Sequence, residues 1–163
     1  MLLSTQFDSQ IGPITLIRSN DGLCALFFGS TCPQTPSSRE DDLLLQATGQ
    51  VLEFLDGRRK SFTLPLDMSK LTEFQTSVLK TTLEIPYGEI RTYGEIAQIL
   101  HKPAAARAVG GALSRNPMPI LIPCHRVVGG NGHLTGYTGA RGLETKQWLL
   151  LKEGVNIVSQ KLD

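Results

Sequence analysis

Pro119-Ile120-Leu121-Ile122-Pro123-Cys124-His125-Arg126-Val127-Val128 is the stretch that organises the chain. An apolar run carries a single cysteine to a proline-led bend. A histidine, an arginine and two β-branched residues follow at once. Apolar runs of this length read as buried strand, and polar residues set inside one need a reason. Two readings stand side by side. Cys124 is a small core hydrophobe with its neighbours turned to solvent, or it is a nucleophilic thiolate beside a base. On a regular strand the side chains of Cys124 and His125 point to opposite faces. Contact between them needs either a turn, which Pro123 favours, or a bridging water. Arg126 is a cation placed to ease loss of the thiol proton. Glu153 is a candidate to orient His125, and nothing local decides it.

The surrounding chain of 163 residues suits one domain or two small lobes. With 40% hydrophobic and 19% charged residues it is ordinary globular material. Met1–Phe7 lacks the basic and apolar regions of a signal peptide, and no apolar run approaches a membrane span. Cys24, Cys32 and Cys124 form no Cys-x-x-Cys pair and are odd in number, which points to a reducing, cytoplasmic setting. His101 and His133 sit in expected turns without metal-ligand spacing, so no metal site is expected. The net charge is +1, yet all the positions from Ile96 to Leu143 hold five bases (Lys102, Arg107, Arg115, Arg126, Arg141) and no acid. Such asymmetry is the footprint of a polyanionic partner, or the outcome of a small domain drawing few acids there.

Leu2–Phe7, Ile14–Arg18 and Leu23–Phe28 read as a meander of short antiparallel strands, separated by the turn signals Gly12-Pro13 and Asn20-Asp21-Gly22. Glu40–Leu55 has helical spacing, and its acidic start suits the positive end of a helix. Ser61–Leu64 is expected as a further short strand. A boundary near Asp67–Leu71 divides residues 1–66, a small antiparallel sheet with a helix, from residues 67–163, a mostly helical lobe. The fold class is α+β.

In the second lobe, Thr72–Leu83 is helical, with Phe74, Val78, Leu79 and Leu83 on one stripe. Thr92 with Glu95 has the spacing of a capping box opening Tyr93–Leu100. Pro103 suits the start of a third helix, Ala104–Ser114. Helix, short turn, helix is the layout of a helix-turn-helix, winged-helix-like unit. The third helix contains Ala104-Ala105-Ala106-Arg107-Ala108-Val109-Gly110-Gly111-Ala112. Each glycine costs on the order of 1 kcal/mol there against alanine, so close approach to something must offset it. A DNA groove and a neighbouring helix serve equally well. Gly129–Gly132 reads as a hairpin turn. Leu143–Lys152 is the last helix, with Leu143, Trp148, Leu149 and Leu151 as its apolar positions, and Val155–Asp163 is a loose tail or short extension.

Pro123-Cys124-His125-Arg126-Val127-Val128 resembles the active-site motif of the O6-alkylguanine-DNA alkyltransferases. Ala105–Ala112, Asn116-Pro117 and Pro119–Ile122 upstream are similar to that family's recognition helix and asparagine hinge. Gly136-Tyr137-Thr138-Gly139, Lys146–Leu150 and Glu153-Gly154 continue the match downstream. The resemblance is close over Thr72–Gly154 and general before it.

The resemblance implies repair by direct reversal; some relatives carry a structural zinc in the first lobe, but the Cys and His set it needs is not evident in this sequence, so no metal and no cofactor are expected. The partner is double-stranded DNA carrying alkylated bases, approached from the minor groove by a monomer that is open to clustering on DNA. Ala105, Ala106 and Gly110 would let the helix come close. Arg107 would fill the gap left by an extruded guanine, and Tyr93 would help rotate the nucleotide out. Cys124 would take the alkyl group from O6, once per molecule, with O4 of thymine left open as a second donor. His125 would act as base through a water, with Glu153 orienting it and Asn116 tying helix to loop. Val127, Tyr137, Thr138 and Gly139 would line the base pocket, and the small Gly139 implies entry of adducts as bulky as benzyl. The competing readings are a non-catalytic reader of alkylated DNA, whose kin lack the cysteine, and a thiol hydrolase, for which no oxyanion-hole motif is present.

Overall fold

The computed structural model describes residues 1–29, 35–135, 137, 142–158 and 161–162. These fall into two units, Met1–Lys70 and Leu71–Asp163. No described helix is long and apolar enough to cross a membrane.

The first unit is built on a three-stranded antiparallel sheet in the order β1 (Leu3–Phe7), β2 (Ile14–Arg18), β3 (Leu23–Phe28). Alternation fails in the central strand: Ile14, Thr15, Leu16 and Ile17 are all buried. That is what a strand covered on both faces looks like. Helix α1 (Asp42–Leu55) buries Leu44, Ala47, Val51, Phe54 and Leu55. It starts at Asp42 because Asp41 is its cap, accepting the amide of Leu44 at 3.0 Å while pairing with Arg18. Gly22 turns β2 into β3 at φ +153°, where an added Cβ would stand 2.6 Å from the Pro65 carbonyl oxygen. The expected strand Ser61–Leu64 does not form. Leu66 alone bridges Leu23, through Leu23 N to Pro65 O at 2.9 Å and Asp67 N to Leu23 O at 2.7 Å. Pro65 has no N–H to offer a ladder, which limits the pairing to one rung.

In the second unit, α2 spans Glu73–Leu83 and is capped by Thr72. Its buried face is Gln75, Val78, Leu79 and Thr82, while Leu83 of the expected stripe is exposed. Gln75 earns its burial by donating to the Arg115 carbonyl at 3.0 Å. The two-residue strand β4 (Arg91–Thr92) leads into α3 (Tyr93–Ile99), and the capping box is present: Glu95 N to Thr92 Oγ1 at 3.1 Å, Thr92 N to Glu95 Oε2 at 2.6 Å. Helix α4 (Ala106–Ser114) begins two residues later than expected. Pro103 sits instead at the second position of a β-turn closed by Ala105 N to Lys102 O at 2.9 Å, a place its fixed φ suits.

The organising stretch is not a strand. Pro119 and Ile122 form a single bridge around a tight turn, in which Ile120 holds a φ of +72°. A 3-10 turn, Cys124–Arg126, follows, and then β5 (Val127–Val128). Two prolines delete the donors a continuous strand would need, while apolar Met118, Ile120, Leu121 and Ile122 still bury the segment. Gly129–Gly132 does turn the chain, closed by Gly129 N to His133 O at 2.9 Å. Just before this turn, β5 pairs in parallel with β4. Helix α5 (Leu143–Lys152) buries Thr145, Lys146, Leu149 and Leu150, leaving Leu151 exposed. At the end, β6 (Ile157–Val158) and β7 (Lys161–Leu162) pair antiparallel.

Candidate active site

Cys124 opens the 3-10 turn as a free, buried thiol. Three residues per turn set successive side chains about 120° apart, so Cys124 and His125 do not take the opposite faces a strand would impose. Burial dominates and leaves the thiol pKa raised; a hydrogen bond from the Asn116 side chain and the nearby charge of Lys146 offset part of that rise. Asn116 is a small clamp. Its Nδ2 donates to Ile122 O at 3.0 Å and its Oδ1 accepts Met118 N at 3.0 Å. The end of α4 is thereby tied to the loop that delivers the cysteine.

His125 is fully buried, with Nε2 at 2.9 Å from Glu153 Oε1. The same carboxylate receives Arg126 at Nε (3.0 and 2.9 Å) and at Nη2 (2.7 Å), and the Gly88 amide at 3.2 Å. Burial alone would raise the Glu153 pKa; hydrogen bonds from His125 and Arg126 overcome it and hold the group at about 2. An ionised carboxylate only accepts, so Nε2 carries the histidine proton and Nδ1 is the acceptor nitrogen of the ring. Burial lowers the His125 pKa, and the bond to Glu153 opposes that. Arg126 completes its bonding at Ile85 O, 2.7 Å, and lies over the Tyr87 ring at 5.7 Å. It therefore serves the carboxylate. The cation whose charge acts on the thiol is Lys146.

Tyr93, the first residue of α3, donates to Thr135 O at 3.1 Å and accepts from Thr135 Oγ1 at 3.3 Å. Its ring lies 3.8 Å from where a Cβ on Gly110 would be, an ordinary contact that would admit alanine. Arg107 and Ala108 are exposed on α4, Ala105 and Ala106 are half-buried, and Arg107 makes no ion pair with any described residue. Val127 and Tyr137 are buried. Gly136, Thr138, Gly139, Arg141 and Cys32 lie outside the described residues. Cys24 is a free cysteine of the first unit, its thiol 3.5 Å from Ile17 O.

Two residues of this centre escaped the sequence reading. Lys146 is 1% exposed, donating to Val127 O at 2.6 Å and Thr135 O at 2.7 Å. Thr135 serves both Lys146 and Tyr93. A lysine three positions before Leu149 and four before Leu150 shares their face, the only signal that it points inward.

The family model described as "6-O-methylguanine DNA methyltransferase, DNA binding domain" matches residues 73–155. That described as "6-O-methylguanine DNA methyltransferase, ribonuclease-like domain" matches residues 2–68. A methylated-DNA–protein-cysteine methyltransferase of Methanosarcina acetivorans is 46% identical over 152 residues, spanning 91% of this chain and 96% of the relative. The crystal structure of Mycobacterium tuberculosis OGT in complex with DNA aligns with a TM-score of 0.84 at 39% identity, over 93% of this chain and 92% of that one. Schizosaccharomyces pombe Atl1, in complex with damaged DNA containing O6-carboxymethylguanine, aligns at 0.51 with 35% identity, over 56% of this chain and 89% of that one.

Proposed function

The chain belongs to the 6-O-methylguanine DNA methyltransferase family, and from that membership we infer which residues carry its chemistry. The protein repairs DNA by transferring an alkyl group from damaged guanine to one of its own cysteines, each molecule acting once. We assign Cys124 as the acceptor. One observation carries the assignment: a free cysteine, bonded by Asn116 and within the field of Lys146, stands directly before a histidine anchored on a buried carboxylate.

In this reading α3 and α4 act as a helix-turn-helix in the minor groove. The exposed Arg107 enters the stack, and Ala105, Ala106 and Gly110 keep the approach shallow. Tyr93 supports the extruded base, which must leave the stack because a buried thiol cannot otherwise reach O6. Main-chain groups of Cys124 and Val127 face the guanine edge, with Tyr137, Thr138 and Gly139 completing the pocket. The thiol proton passes to His125 Nδ1 through a water, the Cys124 sulfur bonds the alkyl carbon, and that carbon's bond to O6 breaks. Glu153 holds the imidazole and takes no proton itself, since Arg126 and Gly88 already engage it. The free thiols of Cys24 and Cys124 favour a reducing cytoplasmic setting.

The test mixes the protein with duplex DNA containing O6-methylguanine and weighs the protein. A gain of one methyl that disappears in Cys124→Ala is expected. Binding without mass gain would instead make the protein a reader of damage.

A further inference from the structure

The turn between α2 and β4 is held to the end of α5 more tightly than a surface connection needs. Pro86–Glu89 is a β-turn closed by Glu89 N to Pro86 O at 3.1 Å. Gly88 takes its third position in the left-handed region, at φ +81°, as a type II turn requires. Glu153 caps the C-terminal end of α5. A Cβ added to Gly88 would stand 3.1 Å from the Glu153 carbonyl oxygen, so the two backbones approach closely.

Three of four consecutive residues then engage the groups that anchor His125. Ile85 O accepts Arg126 Nη1 at 2.7 Å. The Gly88 amide donates to Glu153 Oε2 at 3.2 Å. Tyr87 acts at two places. Its hydroxyl donates to Lys152 O at 3.1 Å, and the Arg126 guanidinium lies 5.7 Å from its ring centroid, within cation–π range.

Tyr87 is half-exposed, so filling a core does not explain it. Its ring covers an ion pair instead: the Arg126 side chain is 8% exposed and that of Glu153 0%. Charges attract more strongly where water is excluded. Without the ring, water reaches the guanidinium. Without the hydroxyl, the last turn of α5, from which Glu153 projects, loses its tie to the turn. Either change loosens the carboxylate, and with it the His125 ring, whose Nε2 stands 2.9 Å from Glu153 Oε1.

We propose that Tyr87 is a positioning residue of the alkyl transfer: its ring over Arg126 and its hydroxyl on Lys152 O lock the turn to α5, and so hold the Glu153 carboxylate where it fixes the His125 imidazole. The proposal rests on Cys124 being the alkyl acceptor and His125 its base. Two substitutions separate the contacts. Tyr87→Phe keeps the ring and removes the hydroxyl; Tyr87→Leu removes both and stays apolar.

The experiment uses the full chain. In the free protein, solvent exchange of the His125 Nε2 proton is followed by its ring-nitrogen NMR signal, which needs no DNA. Methyl transfer to Cys124 is timed in parallel at saturating duplex O6-methylguanine. Affinity for undamaged duplex is measured separately, and melting temperature reports folding. In Y87L the Nε2 proton is expected to exchange about tenfold faster, and transfer within the complex to slow about tenfold. Duplex affinity should stay within about twofold of wild type, because the change lies behind His125 and leaves α4 untouched. Y87F should fall between, at about threefold in both readouts, as the loss of one hydrogen bond implies.

A folded Y87L with wild-type exchange and transfer would overturn the proposal. Equal losses of affinity and transfer rate would do so too, since they mark a general loosening. If Y87L does not fold, Y87F decides on the same readouts: faster exchange with slower transfer supports the proposal, and wild-type values overturn it. Unfolding of both would make Tyr87 a structural strut and overturn it as well. If the wild-type protein gains no methyl on Cys124, the assignment of the acceptor fails; the exchange rates show separately whether Tyr87 holds His125.

Discussion

Glu153 shows how much chemistry one side chain can organise. Its carboxylate accepts N–H groups from His125, Arg126 and Gly88. Each bond favours the ionised form, and together they outweigh the burial that opposes it. Its pKa of about 2 lies below the ordinary 4.5, so its stabilising effect is complete above pH 4.5 and is lost as pH falls towards 2. His125 acts in the same direction. Its lowered pKa means the folded state binds that proton more weakly than the unfolded chain, so stability declines once pH drops below the ordinary 6.5. Urea unfolding at stepwise lower pH is expected to show a loss starting near pH 6.5. The Glu153 part adds on the order of 3 kcal/mol between pH 4.5 and 2. In Glu153→Gln the lower part of the curve should flatten. An equally steep acid loss in that variant would place the titrating group elsewhere.

Helices α3 and α4 carry the argument about DNA. Capping by Thr92 and Glu95 fixes where α3 begins, and hence where Tyr93 sits. A Cβ added at Gly110 would stand 3.8 Å from the Tyr93 ring and one at Gly111 3.7 Å from the Arg115 guanidinium, both ordinary contacts, so packing within the unit does not demand either glycine. The exposed face with Arg107 is left for a partner. Arg107→Ala should lower repair of O6-methylguanine in duplex by tenfold or more, while labelling by free O6-benzylguanine stays within about twofold, since a free base needs no extrusion. Equal losses on both substrates would contradict the role of Arg107 in the stack. No labelling of a protein that still removes methyl groups would refute the wide pocket expected from Gly139. In the first unit, Gly22→Ala forces a side chain against the Pro65 carbonyl at a left-handed φ. A loss of roughly 1–3 kcal/mol in chemical denaturation is expected.

Taken across the whole chain, charge predicts how the protein meets undamaged DNA. Of the five bases in the acid-free segment, Arg126 is spent on Glu153, while Lys102, Arg107 and Arg115 are exposed. Affinity for plain duplex should then fall with salt with a logarithmic slope of roughly −3. A slope near zero would remove the electrostatic case for a nucleic-acid surface.

Strands β1 to β3, the cap at Thr92, the extent of α5 and the Cys124-His125 motif were all legible in the sequence. They rest on local rules: alternation, capping spacing, turn residues and side-chain chemistry between near neighbours. The sequence misled where partners were distant. Val127–Val128 pairs in parallel with Arg91–Thr92, a partner 36 residues back in sequence that no local rule marks. Gln75 and Lys146 face inward because carbonyls at Arg115, Val127 and Thr135 await them. Arg126, expected to act on the thiol, is taken instead by Glu153, 27 residues away. Those bonds exist only once the chain has closed on itself, and no periodicity records which carbonyl a buried donor will find.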